Sequence, residues 1–118
     1  MEDRLPTKLW IDALIRRVQT DGASAFVLQR GDSERGEVLI KISSLNGEAR
    51  LLRPAIDMDG TRIMLDLTAQ GVGPIEAEID DYLRRARDRD QDLWVIEIED
   101  RDARTFVTEP IRSGFRSF

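Results

Sequence analysis

Cysteine and histidine are both missing from the 118 residues. Without cysteine there are no disulfides, no thiol catalysis, no iron–sulfur clusters and no cysteine zinc sites. Without histidine the chain lacks the commonest general base, the Ser-His triad and the usual transition-metal ligand. Lysine is nearly absent while arginine is abundant. Arginine's planar fork suits carboxylate or phosphate recognition, although a genome-wide codon preference explains the same excess. No apolar run approaches the ~20 residues of a membrane span. The first residues, Met1-Glu2-Asp3-Arg4-Leu5-Pro6, carry acids and no apolar stretch, so no signal peptide is expected and the cytoplasm is the expected compartment. Internal repeats, low-complexity segments and linkers are also lacking.

What is present fits one soluble domain over residues 1–118. The apolar fraction is 41% and the charged fraction 35%, with both signs interspersed. A net charge of -5 argues against non-specific binding to nucleic acid or an anionic membrane.

The clearest strand is Asp92-Leu93-Trp94-Val95-Ile96-Glu97-Ile98-Glu99-Asp100. Trp94, Ile96 and Ile98 share one face; Val95, Glu97 and Glu99 share the other, which is expected to be wet. A first helix begins at Pro6-Thr7, with Thr7 as N-cap, and Ile11, Leu14, Ile15 and Val18 form its apolar stripe. Asp21-Gly22 ends it. Strands are expected from Ala23 to Arg30 (central, since both faces are apolar), around Val38, Ile40 and Ile42 (half-buried), from Glu48 to Arg53 (stopped by Pro54) and from Arg62 to Thr68. Their short turns suggest an antiparallel meander. Gly71-Val72-Gly73-Pro74 breaks the sheet, with Pro74 placed in the first turn of a second helix. That helix carries Ile75, Ile79, Tyr82, Leu83 and Ala86 inward, acids at its start and arginines at its end. Asp80–Arg84 and Asp81–Arg85 read as i,i+4 ion pairs. A short last strand, Thr105-Phe106-Val107, is followed by a tail over 111–118 that is loosely docked. The expected fold is α+β, two helices packed on one face of a mostly antiparallel sheet, in the order α-β-β-β-β-α-β-(β).

Two segments, Arg4-Leu5-Pro6-Thr7-Lys8-Leu9-Trp10-Ile11-Asp12-Ala13-Leu14-Ile15-Arg16-Arg17 and Asp92 to Arg101, stand out together with Arg50-Leu51-Leu52, Pro54 and Asp57-Met58-Asp59-Gly60. On these the chain resembles a family of small alphaproteobacterial proteins, domain of unknown function 1491, over essentially its whole length. The Gln70 to Pro74 loop is not part of the resemblance. The resemblance implies a bacterial cytosolic protein and carries no activity, cofactor or catalytic residue with it.

Four constellations bear on chemistry. The acids Glu97, Glu99, Asp100 and Asp102 follow one another closely, with Glu97 and Glu99 roughly 7 Å apart on one strand face. They would serve as oxygen ligands for Mg²⁺ or Ca²⁺, or as a solvated face balanced by Arg101 and Arg104. The element order also resembles a restriction-endonuclease-like core, but Glu37 and Lys41 are spaced by four where that family's pair is spaced by two, and Asp66 has no following lysine. Gly71 and Gly73 resemble the pyrophosphate loop of acetyltransferases, with Thr68 in place of the usual Gln or Arg, Pro74 removing an amide, and Glu76 and Glu78 repelling phosphate. Phe115 and Phe118, in an arginine-bearing tail, would anchor a protein partner or a second copy of the chain. No cofactor is expected. The residues favour a small non-catalytic interaction or regulatory module. The alternative is a divergent enzyme, acyl-CoA-dependent or Mg²⁺-dependent.

Overall fold

The computed structural model describes residues 5–114. Two helices and six strands follow in the order α1 (Thr7–Thr20), β1 (Ser24–Gln29), β2 (Val38–Ser43), β3 (Ala49–Ile56), β4 (Arg62–Asp66), α2 (Glu76–Arg89), β5 (Trp94–Glu99) and β6 (Ile111–Arg112), with a 3₁₀ turn at Thr68–Gln70. The fold is α+β, and as far as β5 the elements follow along the chain in the order expected; the last strand falls at Ile111–Arg112 and not at Thr105–Val107.

The sheet is mixed, not mostly antiparallel. Its strand order is β1-β5-β2-β3-β4-β6. β2, β3 and β4 form the antiparallel meander. β5 inserts between β1 and β2, antiparallel to the first and parallel to the second. β6 runs parallel to β4. The parallel pairing follows from α2, which carries the chain across the sheet between β4 and β5, as a parallel connection requires.

The helices lie on opposite faces, not on one. Ile11, Leu14 and Val18 of α1 pack with Val38, Ile40, Ile42, Trp94, Ile96 and Ile98. Ile79, Leu83 and Ala86 of α2 pack with Leu39, Leu51, Leu65 and Val95. Each strand's two parities therefore serve two cores. β2 is buried along its whole length, where alternation suggested one wet face. The second face of β5 is also covered: Val95 is buried and Glu97 half-buried.

Further expectations are corrected. Among the described residues β1 pairs only with β5 and is an edge strand, not a central one; its apolar residues on both faces reflect exposure. Pro54 does not stop β3. The last β2–β3 pair is Ile40 with Leu52, and beyond it β3 pairs with β4 alone, so a residue without an N–H is tolerated. Thr7 is the first helical residue and not the cap; its hydroxyl donates to the Gly36 carbonyl at 3.0 Å. Pro74 precedes α2, which starts at Glu76. Thr105 to Val107 is irregular because Ala103 and Phe106 have φ of 56° and 60°, which an extended strand excludes. That segment instead packs Phe106 and Val107 against the α1-side core. The first residues of the tail, Ile111 and Arg112, are β6 itself.

Candidate functional site

β2 is a run of apolar residues interrupted by Lys41. Being on the odd parity of a strand covered on both sides, Lys41 points under α2, and its side chain is only 4% exposed. A buried ammonium needs acceptors, because its desolvation costs several kcal/mol. Three carboxylates provide them. Glu97 is its direct neighbour on β5, at 3.4 Å. Glu76 and Asp80, one turn apart at the start of α2, both lie 2.6 Å from Nζ. Two like charges at i,i+4 destabilise a helix on their own; here the lysine sits between them. Asp80 thus turns to Lys41, not to Arg84. Asp81 pairs with Arg84 and with Arg85, the latter at 2.8 Å.

Burial pushes the Lys41 ammonium towards losing its proton, but hydrogen bonds to Asp80 and Glu76 and the charges of Glu97 and Asp80 outweigh it and hold its pKa well above the ordinary lysine value. A lysine so held is a fixed cation and neither a nucleophile nor a general base at neutral pH. The Glu97 pKa is raised as well, and in a carboxylic acid that favours the neutral form: burial pushes it up, the Lys41 charge opposes this, and contact with Glu99 pushes it up again, leaving a net rise. One ammonium does not neutralise three acids, and Glu97, half-buried between Lys41 and Glu99, holds a proton more readily than an exposed glutamate.

The expected acidic cluster is therefore divided. Glu97 belongs to the lysine. Asp100 turns to the 101–104 turn, where its Oδ2 accepts from the Arg104 amide at 2.8 Å and from Nε at 3.0 Å, and Oδ1 accepts from the guanidinium at 2.9 Å. Glu99 is half-buried and Asp102 exposed. Among the described residues no three acids stand where they would share a metal ion. The signal for the Lys41 group was present in the chain: a lysine inside an apolar strand, and two acids, Glu76 and Asp80, one turn apart at the start of a helix.

Asp100 gives the site a pH dependence. The Arg104 side chain and amide hold its carboxyl below the usual aspartate range, against the opposing effect of burial. A depressed folded-state pKa contributes stability above the unfolded value, lost as pH falls through the folded one. Acidification below about pH 4 should therefore lower the urea midpoint. The Arg104→Ala variant, which removes the guanidinium, should show a shallower acid-side fall in the same titration.

Gly71 and Gly73 have φ of 107° and 99°, conformations that favour glycine. The Gly71 amide donates to Thr68 and the Glu76 amide to the Gly47 carbonyl. Glu78 and Asp81 stand in the same hollow as the two glycines. Phe115 and Phe118 lie outside the described residues. A surface that sequence reading passed over is the free edge of β1, where Phe26, Val27 and Leu28 are 46%, 44% and 39% exposed. No described helix is long and apolar enough to cross a membrane.

Known proteins resemble this chain as a whole. The family model described as "Protein of unknown function (DUF1491)" matches residues 5–108. A crystal structure of a DUF1491 family protein from Caulobacter crescentus CB15 is 42% identical, with a TM-score of 0.82, covering 92% of this chain and 100% of that one. An NMR structure of a DUF1491 family protein from the same organism is 43% identical, with a TM-score of 0.78, covering 92% and 97%. The solution structure of protein Atu0922 from A. tumefaciens is 29% identical, with a TM-score of 0.72 and the same coverage of 92% and 97%. No curated protein matches. With the family model spanning most of the chain, and the Caulobacter structures agreeing in sequence and fold, the chain belongs to the DUF1491 family.

Proposed function

We propose that this protein is a non-catalytic interaction module that works through strand pairing at the open edge of β1, with a second copy of the chain as the partner that edge fits. The observation that carries the reading is the edge itself. Ser24-Ala25-Phe26-Val27-Leu28-Gln29 contains no charge and no proline, the usual devices that keep an edge strand from pairing. Three consecutive apolar side chains on it face solvent. An antiparallel copy would set no like charges opposite one another, and a two-fold interface is self-complementary by construction. The irregularity between Val27 and Gln29 limits the regular part of the edge to its first four residues. The ionisable groups support the same reading, since Lys41 and Asp100 are committed to internal partners.

Analytical ultracentrifugation over a concentration series tests this. The wild-type chain should associate to a dimer. Val27→Lys, at an exposed position that meets its own copy, should weaken the dimer by at least about tenfold, or about 1.4 kcal/mol, with the melting temperature of the monomer unchanged. A wild-type chain that stays monomeric up to roughly 1 mM rules the reading out.

A further inference from the structure

The β2–β3 ladder stops at Ile40 and Leu52, yet β3 runs on to Ile56 beside β4. Pro54 has no N–H to continue the pairing with β2. The chain before β2 turns away into the 31–36 loop. The sheet therefore opens at this end, and Thr7 and Trp10 at the start of α1 border the gap. The result is a cleft of about 260 Å³, just below the usual range for ligand clefts and of a size for a small molecule.

The cleft has apolar walls and a cationic rim. Trp10, Val38, Pro54 and Ile56 line it, with Arg53 and Arg62. Both arginines are half-buried, and neither has an ion pair or a side-chain hydrogen bond among the described residues. Their strand neighbour Arg50, by contrast, is paired with Asp66 at 3.1 Å. A guanidinium withdrawn from water without an ion-pair partner among the described residues is stabilised by any carboxylate or phosphate that reaches it, because its fork binds either in a bidentate way. The amides at the start of α1 do not compete for that anion, since Thr7 and Lys8 donate to the Glu34 and Ser33 carbonyls at 3.2 and 2.9 Å. Glu37 also lines the cleft and is exposed. A carboxylate there repels a polyanion more than a monoanion.

We infer that this cleft is a binding site for a small monocarboxylate with a flat apolar body, its anionic end on Arg62 and Arg53 and its body between Trp10 and Pro54. The site is independent of the β1 edge, and its test reads a different part of the molecule.

Benzoate is a suitable probe, with benzamide as its uncharged isostere and phenyl phosphate as its dianionic counterpart. Titrated into ¹⁵N-labelled protein, benzoate should shift the Trp10 indole cross-peak saturably, with a Kd on the order of 1 mM for a fragment of this size. The Gly73 amide, on the α2 side, should stay in place. Benzamide should bind at least about tenfold more weakly, and phenyl phosphate more weakly than benzoate. Arg62→Gln and Arg53→Gln, checked for an unchanged melting temperature, should each reduce the benzoate response by a similar factor. The inference is overturned if benzoate gives no saturable shift at Trp10. It is equally overturned if benzamide binds as well as benzoate in the wild-type protein, a comparison that needs no variant to fold.

Discussion

Lys41→Met should lower the stability of the protein at pH 7 by about 3 kcal/mol, measured as a fall in the urea midpoint. The methionine is close in size and removes only the charge. Glu76 and Asp80 then face each other one turn apart without the lysine between them, and Glu97 is left half-buried without the cation beside it. The figure sits at the low end of the range for breaking a buried pair because Asp80 is 54% exposed and can turn to water. The pH dependence separates this account from simple loss of packing. The raised pKa of Glu97 means that the folded state binds its proton more readily than the unfolded chain does. Such a group contributes stability below its unfolded value and loses it as pH rises through the folded one. Without the lysine, the charge that opposes this rise in Glu97 is gone, and Glu97 should behave this way more strongly. The penalty of Lys41→Met should therefore shrink between pH 7 and about pH 4. It should also shrink when Glu97→Gln is added, by more than additivity allows. A penalty that is the same at both pH values would mean the cluster is not electrostatically coupled.

The Lys41 group also shows where the sequence was readable. Most elements, and the direction in which each helix turns its apolar stripe, follow from local periodicity, and Ile11, Leu14, Val18, Ile79, Leu83 and Ala86 are inward as the 3.6 spacing requires; Ile75, expected inward with them, precedes the helix and is exposed. What periodicity does not carry is which strands are neighbours. The Trp94-Ile96-Ile98 parity of β5 was legible, but whether Val95 and Glu97 were wet depended on α2 crossing to the other face, a long-range fact. Lys41 looked like the polar half of an alternating strand for the same reason. β1 failed in the opposite direction: its apolar residues on both parities suggested a central strand, whereas Phe26 and Val27 face solvent at an edge. Glu97 and Asp100 were near enough in sequence to read as one cluster. They are three positions apart, an odd number, and Asp100 lies just past the end of β5, so a lysine on β2 and an arginine four residues downstream claim them separately.

Trp94→Ala should be the most damaging substitution on β5, at about 3–5 kcal/mol. The ring is 1% exposed and belongs to the α1-side core. Its indole N–H donates to the Asp32 carbonyl at 2.7 Å, its backbone N–H donates to Glu37 at 2.8 Å, and the Arg30 guanidinium lies 5.2 Å from its centroid. Trp94 therefore fixes the 31–36 loop, and that loop in turn receives the first turn of α1 through Thr7 and Lys8. Two glycines make the approach possible. A Cβ at Gly31 would overlap the Asp92 carbonyl oxygen, and one at Gly36 would lie 2.5 Å from the same oxygen and 2.9 Å from Trp94 Cδ1. Gly36→Ala should then cost about 1–3 kcal/mol from overpacking alone. Trp94→Phe keeps most of the ring but leaves the Asp32 carbonyl without its donor, and should cost less than Trp94→Ala by at least about 1 kcal/mol. Urea midpoints for the three variants give the order Trp94→Ala, then Gly36→Ala or Trp94→Phe. If Trp94→Phe proved as severe as Trp94→Ala, the hydrogen bond to the loop, and not the packing of the ring, would be what ties α1 to the central strand.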